Sequence, residues 1–292
     1  MLVIKKDTES LKYLIVNADD FGLTDCVNDG IIHGHVNGII TSTTILPGGS
    51  AFENGMKLLQ KHSTLGVGVH LTLNEETPIS NYSQIPHLVD KNGKFISRNE
   101  LILKLFANKI PLEEIRKEWT LQIEKCLSFS LPITHLDSHG HIHLFPSLSE
   151  MLLQILEKFN INKIRYPVPE GNAFLPLNSQ KAKIFFLKLC GYRLKNILKK
   201  KKIFSPHFFG IEQSGNMNSK HLIAILKKIS KTVSEIMVHP GFENSSLAPY
   251  HYWKYNWENE LNALTDPNIK TALKEKSIKL INYGQIPNEY IQ

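Results

Sequence analysis

Short runs of apolar, β-branched residues alternate with longer segments of helical periodicity along this chain of 292 residues. Lys12–Ala18 is an apolar run typical of a buried strand, and Thr24–Asn37 carries apolar residues at helical spacing until Gly38 ends it. The same alternation then predicts a strand, a helix capped by its first residue, Ser50, and a further strand at Ile39–Leu46, Ser50–His62 and Leu65–Leu71.

A long irregular stretch, Thr72–Ser97, interrupts the alternation, and segments of this length in compact enzymes often cover a substrate. Ser97 and Glu100 form a predicted capping box for the helix that follows. Further helices are predicted at Glu113–Phe129, Ser147–Phe159, Ser179–Lys202 with a break at Gly191, His221–Ser230 and Trp253–Leu264. Further strands are predicted at Ile133–Asp137, Lys163–Tyr166, Pro206–Gly210, Glu235–His239 and Ile278–Asn282.

About eight strands separated by helices, without a repeat or a linker-like break, predict a parallel sheet in a single domain spanning residues 1–292. The expected fold is α/β, a TIM-like (β/α) barrel that is closed or only partly closed, with a distorted or seven-stranded form as the variant. In such a barrel the active site gathers at the carboxyl ends of the strands.

Composition narrows the class of protein. With 42% hydrophobic and 21% charged residues the chain is globular, and its net charge of +7 fits Lys-rich solvated helices, so no nucleic-acid partner is expected. Three scattered cysteines form no CxxC pair, which favours a reducing cytoplasm over a disulfide framework or a thiolate zinc site. No signal peptide is evident, and no run of about 18 apolar residues predicts a membrane span.

Polar clusters stand at the predicted carboxyl ends of four strands. Asp19-Asp20 follows the first strand, His70 ends the third, a run with His139 follows the fourth, and His239 ends a later one. Adjacent buried carboxylates repel each other, and a divalent cation compensates them. Asp20, His70 and His139 supply one carboxylate and two imidazoles, a set that leaves open positions for water and substrate. Taken singly, each motif also fits an Asx turn or a hydrogen-bonded core histidine; their shared position at strand ends favours the metal site.

Several motifs together resemble one known family. The segments LIVNADDFGLTDCVNDGII, GIITSTTILPGG, VGVHLTL, THLDSHGHIHLFP and EIMVHPG are similar, in this order, to the YdjC-like carbohydrate deacetylases, which include chitooligosaccharide deacetylases and a hopanoid-associated branch. The resemblance implies a barrel-like fold and hydrolysis of an N-acetyl group on an amino sugar such as diacetylchitobiose, with release of acetate. It also assigns the metal to Asp20, His70 and His139. Mg²⁺ is the ion the family implies, although Zn²⁺, Co²⁺ and Mn²⁺ suit the same ligands. A homodimer is the assembly that the resemblance suggests.

The remaining roles follow from chemistry and resemblance together. Asp19 is the expected base for the attacking water, and His239 the expected acid for the amine leaving group. Arg165 is expected either to pair with Asp19, as an arginine does in related polysaccharide deacetylases, or to lie on the surface. His141 and His143 are expected to orient His139 or to line the sugar cleft.

Two rival functions stay open at the level of sequence. A metal-dependent hydrolase of another bond, an amidohydrolase or a phosphoesterase, commonly has a His-x-His pair at its first strand, where this chain has Asp-Asp. A noncatalytic sugar-binding protein on the same fold has no need of the base and the acid, Asp19 and His239.

Overall fold

Parallel strands form the centre of the protein. The computed structural model describes residues 11–168, 179–230 and 232–291, with the backbone alone for 179–184. In these residues the strands are β1 (Lys12–Phe21), β2 (Ser42–Ile45), β3 (Gly66–Leu71), β4 (Ile133–Ser138), β5 (His207–Phe209), β6 (Val233–Val238) and β7 (Ile278–Leu280). Adjacent strands run parallel in the order β4-β3-β2-β1-β6-β5, and β7 pairs with the start of β1.

Helices connect these strands, as the alternating pattern predicts. They are α1 (Asp25–Asn37), α2 (Phe52–Lys61), α3 (Arg98–Phe106), α4 (Leu112–Leu127), α5 (Ser149–Lys158), α6 (Ser179–Lys201), α7 (Ser219–Lys228), α8 (Trp257–Thr265) and α9 (Pro267–Glu275). Trp119 of α4 and Trp257 of α8 are among the largest fully buried side chains, so both helices contribute to the core. In the part of the chain that the structure describes, no helix has the length and apolar character needed to cross a bilayer.

The two edges of the sheet are linked through residues 162–165. Arg165 N donates to Leu136 O of β4 at 3.0 Å, and Ile164 N donates to Phe204 O, just before β5, at 3.0 Å. The sheet therefore curls into a distorted, TIM-like barrel, which confirms the predicted fold class. The predicted strand Lys163–Tyr166 is reduced to isolated bridges at Lys163 and Ile164, because Pro167 has no N–H with which to continue the pairing.

Three local predictions were wrong. Ser50 does not cap α2; its hydroxyl donates to Leu23 O, and Ala51 occupies the N-cap position. Gly191 does not break α6; a Cβ there would meet the Tyr166 hydroxyl at 3.0 Å, so glycine permits a close approach. The segment Ser245–Trp253 forms 3₁₀ turns, and α8 starts only at Trp257. By contrast, Ser97 caps α3 as predicted, with its hydroxyl accepting from Glu100 N.

Candidate active site

The polar residues predicted at strand ends meet at the carboxyl end of the barrel. Asp19, His70 and His139 line a cleft of about 930 Å³, together with His239 from the end of β6. Asp20 lies directly beside them and is 2% exposed. The barrel rule therefore brings together side chains that are up to 220 positions apart in sequence.

The end of β1 turns both aspartates into the site. The pairing of β1 with β2 shifts register between Ala18 and Phe21, and Asp20 adopts a left-handed backbone with φ of 68°. In a regular strand, neighbouring side chains point to opposite faces. The irregularity lets Asp19 face Arg165 while Asp20 faces the two histidines. A left-handed non-glycine residue costs roughly 1 kcal/mol or more, and such strain concentrates at functional sites.

Asp20, His70 and His139 are placed as three ligands of one metal ion would be. The Asp20 Oδ1 atom lies 3.2 Å from His139 Nδ1 and 3.5 Å from His70 Nε2. Two ligand atoms about 2.1 Å from one ion, at angles of 90° to 109°, lie about 3.0 to 3.4 Å apart. All three ligand atoms lie within 4.8 Å of one another. The donor set and the spacing therefore fit a divalent cation.

The far side of His70 is fixed by Asp137, to which the sequence assigned no role. The Asp137 Oδ1 atom lies 2.6 Å from His70 Nδ1, and its Oδ2 accepts from the Thr44 hydroxyl at 3.2 Å. A carboxylate can only accept, so Nδ1 carries a proton and Nε2 is the ring atom left to face the metal position. Burial lowers the pKa of His70, but the negative charges of Asp137, Asp19 and Asp20 and the Asp137 hydrogen bond together raise it to about 9, so a metal ion would displace a proton from Nε2 at neutral pH.

Arg165 lies at the centre of a buried carboxylate network. Its guanidinium, 0% exposed, donates to both oxygens of Asp19 at 2.6 and 2.7 Å, and it also contacts Asp137 and Glu235. Burial raises the pKa of Asp19, but the Arg165 charge and hydrogen bonds outweigh burial and hold it well below its usual range. Glu235 in turn accepts from the Tyr283 hydroxyl at 2.6 Å. Of the two placements predicted for Arg165, the structure shows the pairing with Asp19.

His239 follows the end of β6 and lies beside Asp19 in the same cleft. Its Nε2 is 3.9 Å from Asp19 Oδ2, and its ring lies 4.7 Å from that of Tyr255, centroid to centroid. Burial lowers the pKa of His239, more than the neighbouring aspartates raise it. The side-chain carboxyl group of Glu260 accepts from the backbone N–H of His239 and, at 2.8 Å, from Met217 N. Glu260 thus fixes the loop that carries His239.

The other histidines of the His-rich run have separate positions. His141 lines the cleft, with a left-handed φ of 62°. His143 is fully buried, and its Nε2 donates to Arg165 O at 2.9 Å while its Nδ1 accepts from the Ser138 hydroxyl at 2.6 Å. Burial lowers the pKa of His143 to about 4, so it is neutral. His143 therefore positions the backbone of Arg165, and its contacts are not with His139.

Two loops form the walls of the cleft. The stretch predicted as a cover, Thr72–Ser97, is fastened to α4, where Glu118 accepts from Ile79 N at 2.9 Å and from Ser80 N at 2.8 Å. The facing wall consists of the aromatic residues Tyr250, Tyr252, Trp253 and Tyr255. Its Trp253 ring lies 5.2 Å from the His139 ring, centroid to centroid. The Tyr250 hydroxyl donates to Glu76 at 2.8 Å and joins the two walls.

Fold and site together define a TIM-like α/β protein with a candidate metal centre at the carboxyl ends of its strands. The sequence profile of the YdjC-like protein family matches residues 13–275. The chain belongs to this family.

Similar proteins include two named carbohydrate deacetylase. One, from Clostridium beijerinckii, is 32% identical over 94% of this chain and 99% of its own length; the other, from Geobacillus stearothermophilus, is 30% identical over 94% and 98%. A crystal structure from Enterococcus faecalis V583, described as a candidate cellobiose-phosphate cleavage protein, matches with a TM-score of 0.74 at 29% identity, covering 94% of this chain and 98% of that one.

Proposed function

We propose that the protein is a metal-dependent carbohydrate deacetylase that hydrolyses the N-acetyl group of an amino sugar and releases acetate. The observation that carries this proposal is the division of labour between adjacent aspartates. The Asp20 carboxylate lies close enough to the His70 and His139 rings to bind one ion together with them. The neighbouring Asp19 carboxylate is kept ionised by Arg165. The names of the two relatives above support the same reaction.

Asp20, His70 and His139 would hold the divalent cation. When bound, such an ion polarises an acyl oxygen and makes water more acidic. Mg²⁺ is our first candidate from the family resemblance, and Zn²⁺, Co²⁺ and Mn²⁺ suit a set of one carboxylate and two imidazoles equally well. Asp137 fixes the ring of His70 so that Nε2 faces this point, and binding of the cation would release the Nε2 proton.

Asp19 is the proposed base. Its carboxylate is ionised at neutral pH because Arg165 stabilises the negative charge, and it borders the cleft where the acetyl group would lie. It accepts a proton from the water as the water attacks the acetyl carbon. The bidentate contact fixes the orientation of the carboxylate, so no reorganisation of Asp19 is needed at that step.

His239 is the proposed acid. An amide nitrogen must be protonated before it can leave, because an amide anion is a very poor leaving group. His239 Nε2 lies 3.9 Å from Asp19 Oδ2 and lines the same cleft, so the proposed base and acid both border the place where the acetyl group would lie. His141, on the cleft wall, is positioned to contact the sugar.

Acetate release tests the proposal. Purified protein loaded in turn with each candidate ion is incubated with diacetylchitobiose, and free acetate is measured. We expect acetate from the wild type, none from Asp19→Asn with an unchanged metal content, and a wild-type rate from Asp29→Asn, a control on the exposed face of α1. Full activity in Asp19→Asn would remove Asp19 as the base. Sugar binding without acetate would favour the noncatalytic alternative, and hydrolysis of a phosphate ester instead would favour the phosphoesterase.

The three cysteines in the chain are buried and free, which supports a reducing compartment such as the cytoplasm for this reaction.

A further inference from the structure

Helix α6 has a strongly one-sided composition. Its 23 residues contain no Asp or Glu and eight basic residues, Lys181, Lys183, Lys188, Arg193, Lys195, Lys199, Lys200 and Lys201, with Lys202 directly after. A solvated helix in a globular protein usually mixes both signs. The helix therefore carries a concentrated positive charge, and no acidic residue within the helix neutralises it.

The outward side of this helix is also apolar. Phe185, Leu189 and Tyr192 are 40%, 68% and 71% exposed, and their spacing of i, i+4 and i+7 places them on one side. The opposite side packs into the core through residues that are nearly fully buried, including Leu194 and Leu198. Large apolar side chains in a row on an exposed helix mark an interaction surface more often than a solvated one.

Lysines border the apolar row. Lys195, Lys199 and Lys202 follow at spacings of i, i+4 and i+7 and line a groove of about 780 Å³ between α6 and the start of β5. No carboxylate lines this groove among the residues that the structure describes. The neighbouring carboxylates Glu150 and Glu157 of α5 are paired with Arg193 and Lys201. We call Phe185, Leu189, Tyr192 and these three groove lysines the α6 face.

We propose that the α6 face binds the surface of an anionic lipid bilayer, with the helix lying flat in the interface. A basic helix with exposed Phe, Leu and Tyr is the pattern of interfacial helices, whose apolar side chains enter the headgroup boundary while lysines contact anionic lipids. Residues 185–201 of the helix extend over about 25 Å at 1.5 Å per residue, long enough to contact several headgroups. This surface is separate from the cleft, so the inference does not depend on the proposed function.

Two other partners fit the surface less well. A nucleic acid would match the lysines, but it offers nothing for Leu189 and Phe185, since phosphate contacts require only charge. A second copy of the chain would bring lysine rows of like charge together, which is unfavourable. An anionic bilayer satisfies both the charge and the apolar row.

Vesicle sedimentation tests the proposal with the full chain. We expect the protein to pellet with vesicles of phosphatidylcholine mixed with phosphatidylglycerol, and to stay in the supernatant with phosphatidylcholine alone. Raising the salt from about 0.1 M to about 1 M shortens the Debye length from about 10 Å to about 3 Å and should release most of the protein.

Matched variants separate the two components of the surface. Lys195→Gln with Lys199→Gln should lower the partition coefficient about 25-fold, at roughly fivefold per lysine near an anionic surface. The same double change at Lys227 and Lys228, both exposed on α7, should leave it within about twofold.

The apolar row is tested in the same way. Leu189→Gln should lower the partition coefficient roughly tenfold, since a leucine side chain no longer enters the interface. Leu103→Gln, a control on α3 where the leucine is 70% exposed, should leave binding unchanged. All these positions are exposed, so the variants should fold, and circular dichroism spectra and urea midpoints like those of the wild type would verify that. Equal binding to both kinds of vesicle, or binding only to a single-stranded oligonucleotide with no effect of Leu189→Gln, would overturn the proposal.

Discussion

Replacing Arg165 by methionine removes a cation shared by three buried carboxylates, Asp19, Asp137 and Glu235. Removing one partner of a buried ion pair typically destabilises a protein by about 3–5 kcal/mol, because the remaining charge stays buried without compensation. Without Arg165, three buried carboxylates would repel one another, so we expect a loss at the upper end of this range, roughly 5 kcal/mol of unfolding free energy. The assay is urea unfolding followed by circular dichroism, at neutral pH and fixed metal concentration.

Arg193→Met is the matched control, because Arg193 pairs with Glu150 at the surface, where its side chain is 52% exposed. Exposed pairs contribute about 0 to 1 kcal/mol, so this variant should unfold almost like the wild type. Adding Glu235→Gln to Arg165→Met should recover part of the stability by removing one carboxylate from the cluster. A loss in Arg165→Met no larger than that in the control would refute the argument that Arg165 neutralises the site.

Three further predictions follow from other contacts. Burial raises the pKa of Glu260 from 4.5 to about 8, so the folded state favours the protonated form, and the stability contributed by this group is lost as the pH rises between these values. From about pH 5.5 to about pH 7.5 the wild type should lose roughly 2 to 3 kcal/mol of unfolding free energy relative to Glu260→Gln. Parallel pH profiles of urea unfolding for the two proteins would contradict this. Asp137→Asn should weaken metal binding about 10–100-fold in a competition titration with a chelator, because an uncharged amide oxygen is a weaker acceptor for His70 Nδ1–H than a carboxylate; an unchanged affinity would refute the role of Asp137 in strengthening this ligand. Glu118→Ala leaves two backbone N–H groups of the cleft wall without acceptors, each costing about 1–3 kcal/mol; we expect a higher KM at unchanged metal content, and an unchanged KM would show that this wall does not contact the sugar.

The sequence predicts the positions of the site residues better than their contacts. Asp19, His70, His139 and His239 all stand at strand ends, and parallel strands place their carboxyl ends together, so the pattern alone is enough to bring them into one region. The division of roles between Asp19 and Asp20 was predicted from the family resemblance, and its physical basis is a register shift and one left-handed residue. Nothing in the local sequence specifies that irregularity.

The supporting residues were beyond prediction for a different reason. Glu235 and Glu260 have no local feature that separates them from surface glutamates, and their roles appear only when β6 and α8 bring them to Arg165 and His239. Asp137 had a usable signal, since it lies in register with His70 on the neighbouring strand. Assigning a carboxylate partner to each candidate histidine ligand would have found it.

The first strand also determines when the site can form. β1 carries both aspartates, yet it pairs with β6 and β7, which come from the last quarter of the chain. Synthesis proceeds at about 5–20 residues per second, so the edge of β1 that pairs with β6 and β7 stays unpaired until those strands have been made. Its two adjacent carboxylates are exposed to solvent during that time. Contacts so distant in sequence slow folding. The proposed base and acid, Asp19 and His239, are therefore both in place only after the 220 residues that follow Asp19 have been synthesised and β6 has paired with β1.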